Sequence, residues 1–139
     1  MTQTVRDVMT TQPMHVKESA SLIDAARAMR DRDIGDLIVV RGGEILGMVT
    51  DRDLVIRGLA EGHDPKTMTV GEICSTDVVT VEPDATVDRV IELMREKAVR
   101  RIPVVDDGKP VGILSLGDLA MRKDKDSVLS DISEAPPQR

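Results

Sequence analysis

The sequence has 139 residues, with 25 acidic and 19 basic side chains and a formal net charge of −6. It contains no Phe, Trp or Tyr, so it lacks the aromatic side chains on which unpaired bases stack, and its acidic balance disfavours broad contact with nucleic-acid phosphates. We expect one compact core of aliphatic residues and no nucleic acid as a partner. We also expect a cytoplasmic protein without a membrane partner, because neither a signal peptide nor a membrane-spanning apolar run is visible.

An internal repeat organises the chain. Residues 5–57 align without a gap with residues 70–122. Identical pairs include Thr11 and Thr76, Val16 and Val81, Met29 and Met94, Gly47 and Gly112, and Asp53 and Asp118. Chance does not keep glycines and apolar positions in register over such a length, so the chain is a duplication. The predicted domains are a first repeat over 1–62, a linker over 63–69, a second repeat over 70–123, and a polar tail over 124–139 in which 127–132 is compatible with one helical turn.

Each copy carries the same predicted elements in the same order. Capping-box patterns at 4–7 and 69–72 predict a short opening turn, and apolar residues with helical spacing follow at 22–29 and 87–94. The predicted strands are 14–16, 37–40 and 45–49 in the first copy and 78–81, 102–105 and 111–114 in the second, and a last helix begins near Asp51 or Leu116. The fold class is therefore α/β (α+β), built from two β-α-β-β-α repeats related by pseudo-two-fold symmetry.

The junction between the last strand and the last helix carries the most specific motif. Residues 47–53 and 112–118 both read glycine, two apolar residues, a hydroxyl residue, two variable positions and Asp. Together with Asp-Val-Met-Thr at 7–10 and the segment 99–105, this motif resembles the CBS-domain pair, or Bateman module, of the stand-alone hypoxic response type. The same spacing is also that of a helix cap, which recurs in this chain at Ser21 and Asp24.

The resemblance implies a non-enzymatic sensor that binds AMP, ADP or ATP in the cleft between the two repeats, with no catalytic residue, required cofactor or metal. The ligand-binding residues that it implies are Thr50, Asp53, Ser115, Asp118, Arg52, Arg100, Arg101, Ile102 and Pro103. A carboxylate can accept both O–H groups of a ribose diol, and a hydroxyl residue at a helix N-terminus lies where a phosphate is favoured. The paired arginines also suit a solvated surface or ion pairs with Asp106 or Asp107.

Two alternatives to nucleotide sensing stay open: a ligand-free dimeric interaction or scaffold protein, and an S-adenosylmethionine binder. Apolar residues all round the last helix of each copy, at 54–60 in the first and at 119–121 in the second, predict a homodimer. The resemblance also implies a separate, unidentified protein partner and a stress-related role. No Ser/His/Asp or Cys/His constellation is evident, because the two His are far apart in sequence and the single Cys74 aligns with the apolar Met9.

Overall fold

A computed structural model describes residues 3–123, and the predicted polar tail at 124–139, with its helical turn at 127–132, lies outside the described residues. The elements, in chain order, are α1 Val5–Val8, β1 Thr10–Thr11, β2 His15–Lys17, α2 Leu22–Arg32, β3 Asp36–Arg41, β4 Glu44–Thr50, α3 Asp51–Asp53 with a π-helical continuation over Leu54–Leu59, α4 Val70–Ile73, α5 Val87–Lys97, β5 Arg101–Asp106, β6 Lys109–Ser115 and α6 Leu116–Lys123. Helices and strands arranged in two three-stranded sheets confirm the predicted α+β class.

The described residues form two compact units that divide the chain at different places from the sequence repeats. The first unit consists of residues 14–78, and the second unit consists of residues 3–13 together with 79–123. Helix α1 therefore packs into the core of the second unit, through Val5 and Val8. Helix α4 packs in the same way into the core of the first unit. The opening turn of each copy thus completes the core built by the other copy.

The first unit packs α2 on one face of the sheet β2-β3-β4. Strand β2 runs parallel to β3, and β3 and β4 form an antiparallel hairpin. Ser21 caps helix α2, since its Oγ accepts a hydrogen bond from Asp24 N at 3.1 Å. The helix buries Leu22, Ala25 and Met29 of the predicted apolar stripe, whereas Ala26, which is also predicted there, is exposed. Residues 37–40 are all buried, as predicted for a strand that is covered on both faces.

The second unit has the sheet order β1-β6-β5, with α5 packed against it. The strand predicted at 78–81 is wrong in extent, because only Val81 pairs, as a parallel bridge to Val104. In the first copy the pairing continues past β2, where Glu18 N donates to Val40 O at 2.9 Å. The equivalent residue of the second copy is Pro83, which has no N–H to donate. The strand predicted at 14–16 is present, displaced by one residue.

Capping boxes begin the short helices α1 and α4, as predicted. Asp7 Oδ2 accepts a hydrogen bond from Thr4 N at 3.2 Å, and Glu72 Oε2 accepts one from Thr69 N at 3.1 Å. The backbone N–H of Thr69, and then its hydroxyl, lower the pKa of Glu72 below its ordinary value, because both donate to the charged form. The opening helix of each copy is therefore fixed by a charge-assisted cap.

Candidate functional site

The first strand-to-helix junction, turn A (residues 50–53), joins β4 to α3. Thr50 is the N-cap: its Oγ1 accepts a hydrogen bond from Asp53 N at 3.0 Å, and Asp53 Oδ2 accepts one from Thr50 N at 2.9 Å. Both residues are half-buried. Turn A is therefore a complete capping box, in which a backbone N–H occupies one of the roughly four lone-pair sites of the Asp53 carboxylate.

The second junction, turn B (residues 115–118), joins β6 to α6. Ser115 Oγ accepts a hydrogen bond from Asp118 N at 3.1 Å. The carboxylate of Asp118 has no hydrogen-bond partner among the groups that the structure describes, and the residue is exposed. The same sequence pattern thus gives only half of a capping box at turn B, and its carboxylate is open to a ligand.

The glycine that opens each motif makes room for a neighbouring segment of the chain. A Cβ at Gly47 would collide with the backbone of Ser75. Ser75 and Met48 exchange two backbone hydrogen bonds, each of 2.9 Å. A Cβ at Gly112 would instead meet the side chain of Met9, 2.5 Å from its Sδ. Close approach of chain segments within each unit therefore explains both glycines.

The residue opposite the cap hydroxyl differs in charge between the two turns. In the first unit Asp36 of β3 lies in register with Thr50, and in the second unit Arg101 of β5 lies in register with Ser115. Directly opposite residues of antiparallel strands share a face of the sheet, with Cβ atoms about 5 Å apart. Turn A therefore has a carboxylate beside its hydroxyl, and turn B has a guanidinium.

A backbone hydrogen bond ties each turn to the residue that precedes this partner. Asp51 N donates to Gly35 O at 2.9 Å, and Leu116 N donates to Arg100 O at 2.7 Å. Turn B is thus bordered by two successive arginines, whereas turn A is bordered by a glycine and an aspartate. The two turns therefore share a hydroxyl residue and an aspartate, but the charged residues next to them differ.

The remaining residues predicted for the site fall into two groups. Arg52 and Arg100 are exposed, and neither forms an ion pair with the side chains described in the structure. Ile102 is fully buried in the core of the second unit, and Pro103 is also fully buried. Pro103 O accepts a hydrogen bond from Val81 N at 3.2 Å. The contact of these two buried residues with a ligand stays a prediction.

Other reactive groups do not assemble a second centre within residues 3–123. No group of three or more His, Cys, Asp or Glu side chains in this range could hold a metal ion. Burial raises the pKa of the Cys74 thiol above its ordinary value, which favours the protonated form over the nucleophilic thiolate. None of the helices in this range combines the length and the apolar character that crossing a bilayer requires.

Two small α+β units, each with a hydroxyl-x-x-Asp turn between its last strand and a helix, define a tandem regulatory module. The family model described as the CBS domain matches residues 5–58 and again residues 70–124. The chain therefore belongs to the CBS-domain family, and it contains a tandem CBS pair, which confirms the resemblance drawn from the motifs. Proteins built only of CBS domains are generally regulatory rather than catalytic.

One related sequence and two solved structures place this pair among its relatives. Hypoxic response protein 1 of Mycobacterium tuberculosis is 41% identical over 118 residues, which cover 84% of this chain and 82% of that protein. The crystal structure of hypoxic response protein I with two coordinated zinc ions has a TM-score of 0.79 at 39% identity, and covers 86% of this chain and 98% of that one. The CBS domain pair of protein MJ0100 in complex with 5′-methylthioadenosine and S-adenosyl-L-methionine has a TM-score of 0.77 at 28% identity, over 90% of this chain and 98% of that one.

Asp36 is absent from the residues predicted for the site. A signal for it existed, because the repeat aligns Gly-Asp at 35–36 with the arginine pair at 100–101. That alignment could not show which residue of β4 lies opposite Asp36, because the pairing shifts at a bulge between Val39 and Val40. The position of Asp36 beside Thr50 of turn A is therefore known from the structure and not from the sequence.

Proposed function

We propose that the protein is a non-enzymatic sensor that binds an adenosine-containing compound, with AMP, ADP or ATP as first choices, at turns A and B of its CBS repeats. The observation that carries this proposal is the duplicated pairing of a cap hydroxyl with a carboxylate at the start of a helix. The Asp118 carboxylate is open, and the Asp53 carboxylate keeps most of its lone-pair sites. Either one can accept both hydroxyls of a ribose.

Two further features support an adenosine compound. A helix start favours negative charge, so the 5′ phosphate of a nucleotide suits the hydroxyl end of the turn, and Arg52, Arg100 and Arg101 supply positive charge nearby. The related CBS pair of protein MJ0100 was crystallised with 5′-methylthioadenosine and S-adenosyl-L-methionine. S-adenosylmethionine is therefore the second ligand to test.

The experiment compares binding in the wild type with binding in Asp53→Asn and Asp118→Asn. Asn keeps the size of Asp and one acceptor oxygen, but it loses the charge, and its NH₂ group cannot accept a hydroxyl as the second carboxylate oxygen does. Because the chain has no Phe, Trp or Tyr, the ultraviolet absorbance of the purified protein reports bound adenine directly. Calorimetric titration with AMP, ADP, ATP and S-adenosylmethionine then measures affinity and stoichiometry.

We expect each variant to lose one of two binding events, with its affinity reduced about 10- to 100-fold, because hydrogen bonds to a charged group contribute roughly 1.5–3 kcal/mol. The control is Asp31→Asn, which removes an exposed carboxylate from α2 and should leave binding unchanged. A wild type that binds none of the four compounds, or variants at 53 and 118 that both bind like the wild type, would overturn the proposal.

We infer that the functional form is a homodimer that forms through the π-helical segment Leu54–Leu59. Val55, Ile56 and Leu59 are 53%, 46% and 55% exposed on that segment, and clustered exposed apolar side chains of this kind are typical of an interface. A second copy offers the same strip, so a two-fold axis can bury both strips against each other. Light scattering should therefore show a dimer for the wild type and for Arg57→Gln, and a monomer for Ile56→Asp. A monomeric wild type would contradict this assignment.

The same apolar strip favours a second candidate function, a ligand-free dimeric scaffold. A protein that dimerises but binds no adenosine compound would support the scaffold and exclude the sensor. For both functions we propose a stress-related role, which the name of the related hypoxic response protein 1 suggests. A separate protein partner is likewise proposed, because proteins built only of CBS domains are generally regulatory. We also propose a cytoplasmic location, since a free buried thiol such as Cys74 suits a reducing compartment.

A further inference from the structure

We propose that each ligand turn is held in its binding geometry by the opening segment of the other copy. The first opening segment comprises residues 4–11, and the second opening segment comprises residues 69–76. The first opening segment positions turn B, which belongs to the second copy, and the second opening segment positions turn A, which belongs to the first. This assignment rests on the proposed function, because it names the residues that position the same two turns.

Turn B lies between two buried leucines that pack with the first opening segment. Leu114 directly precedes the turn, and Leu119 directly follows it. Both leucines are buried in the core that also contains Val5 and Val8 of α1. Helix α1 contacts α6, which begins at this turn, and β1 pairs with β6 as far as Ile113. The first opening segment therefore supports turn B at both of its ends.

Turn A has the same relation to the second opening segment. Val49 directly precedes the turn, and Leu54 directly follows it. Both are buried in the core that also contains Val70 and Ile73 of α4. Helix α4 contacts β4 and the π-helical segment, and the backbone of β4 exchanges two hydrogen bonds of 2.9 Å with Ser75. The second opening segment therefore supports turn A at both of its ends.

The packing beneath each turn fixes where its hydroxyl and its carboxylate lie. Protein interiors are close-packed, so removing volume from an opening segment lets the buried residues at the ends of the turn shift, together with the backbone between them. A shift of about 1 Å is enough to weaken a group that must meet a ligand atom at hydrogen-bond distance. By linkage, a ligand that holds the turn in place also stabilises the packed opening segment. Each copy therefore contributes to binding at the turn of the other copy.

A matched pair of substitutions tests the crossing. Val5 and Val70 are aligned in the repeat and are both fully buried, so Val5→Ala and Val70→Ala remove the same atoms from the two opening segments. Each is made in the turn B protein, which carries Asp53→Asn, and in the turn A protein, which carries Asp118→Asn. Calorimetric titration uses AMP, ADP, ATP and S-adenosylmethionine. We expect Val5→Ala to weaken binding about 2- to 30-fold at turn B and by less than about twofold at turn A, and Val70→Ala to do the reverse.

Amide hydrogen exchange measures the reverse coupling without a substitution in the core, so it also serves if a valine variant fails to fold. The N–H groups of Val5 and Arg6 donate to backbone carbonyls at 2.8 and 3.0 Å, and those of Val70 and Gly71 each donate at 2.9 Å. Saturating ligand should slow exchange at Val5 and Arg6 in the turn B protein, and at Val70 and Gly71 in the turn A protein, by about 2- to 30-fold. The opening segment of the same copy should not change.

Val90→Ala is the control for a general loss of stability. Val90 is fully buried in the same core as Val5, but it belongs to α5 of the second copy. We expect it to lower the unfolding midpoint and to leave affinity at turn B within about twofold. If Val90→Ala weakens binding as much as Val5→Ala does, or if ligand protects the opening segment of its own copy instead, the assignment is wrong although the proposed function stands. A wild type that binds none of the four compounds would overturn the proposed function and this assignment together.

Discussion

Replacing Gly47 and Gly112 by alanine should have unequal effects, although the two residues occupy the same position of the repeat. The Cβ that Gly47→Ala adds would overlap the carbonyl of Ser75, which is backbone. The Cβ that Gly112→Ala adds would overlap the thioether of Met9, which can turn about three side-chain bonds. It would also lie 3.0 Å from the backbone oxygen of Thr10, which must then shift by a few tenths of an ångström. We therefore expect Gly47→Ala to be clearly destabilising and Gly112→Ala to be mild.

The magnitude follows from the hydrogen bonds at risk. Moving Ser75 away from Gly47 breaks its two 2.9 Å bonds with Met48, each of which contributes about 1 kcal/mol net. With strain in the displaced segment, Gly47→Ala should cost about 2–3 kcal/mol, after subtracting the gain of about 0.4–1 kcal/mol that alanine gives by restricting the unfolded chain. For Gly112→Ala the expected cost is about 1 kcal/mol or less, since the flexible Met9 side chain can move aside.

Thermal unfolding followed by far-ultraviolet circular dichroism measures both variants, because a chain without Phe, Trp or Tyr has no intrinsic fluorescence to follow. At about 4 °C per kcal/mol for a chain of this size, the midpoint should fall by about 8–12 °C for Gly47→Ala and by about 4 °C or less for Gly112→Ala. If Gly47→Ala proved as stable as the wild type, or Gly112→Ala proved the more damaging, the assignment of the glycines to packing would be wrong.

Three further predictions test other parts of the chain. Ala98→Gly should raise the unfolding midpoint, because Ala98 ends α5 with a left-handed φ of 55° that costs about 1 kcal/mol for a residue with a Cβ; Ala26→Gly inside α2 is the control, and should lower it. Glu72→Gln should make the free energy of unfolding depend less on pH in the acidic range. The pKa of Glu72 is lowered in the folded state, so its contribution to stability is present above the unfolded pKa and is lost as the pH falls through the folded pKa. Urea titrations across acidic pH should therefore show the wild type losing more stability than the variant. Cys74 should react with a thiol reagent quickly in urea and slowly in the native protein, since burial raises its pKa; rapid native labelling would contradict its burial.

Much of the fold was predictable because the local signals agree with one another. The capping pairs at Thr4 and Thr69, the helical stripes and the apolar runs of β3 and β5 all lie where the sequence places them. The predictions failed where pairing depends on one backbone group. Pro83 lacks the N–H that would carry the pairing beyond Val81, and it does not explain why residues 78–80 do not pair.

The exchange of opening helices between the copies was not predictable from periodicity. A helix of four residues such as α1 has the same capping box and the same apolar pattern whichever core it joins. Its partner is decided by long-range hydrogen bonds such as Val5 N to Ala85 O at 2.8 Å. Contacts between residues so far apart in sequence leave no local signal.

The site was predictable in its residues but not in its surroundings. The hydroxyl and the Asp of each turn follow from the motif, and their caps follow from the same spacing. Counting back from the hairpin pair Arg41 and Glu44 without a bulge would put Asp36 opposite Val49. The bulge between Val39 and Val40 moves it opposite Thr50. One inserted residue thus decides which side chains share a face of the sheet, and so which charge lies beside the hydroxyl.

The capping role and the ligand role of Asp53 are compatible, because the cap and a diol use different lone pairs of the carboxylate. Asparagine separates the two roles at turn A: its amide oxygen can still accept the N–H of Thr50, but its NH₂ group cannot accept a hydroxyl. If Asp53→Asn remains stable but no longer binds an adenosine compound, the carboxylate of Asp53 binds the ligand in addition to capping the helix. At turn B no described group donates a hydrogen bond to the Asp118 carboxylate, so Asp118→Asn should cost only the roughly 0.3–1 kcal/mol that a carboxylate contributes in the first turn of a helix. The carboxylate of Asp53 both caps its helix and is proposed to bind a ligand, whereas the carboxylate of Asp118 is proposed only to bind a ligand. Comparing the stability and the ligand affinity of Asp53→Asn with those of Asp118→Asn therefore separates the capping role of the carboxylate from its binding role.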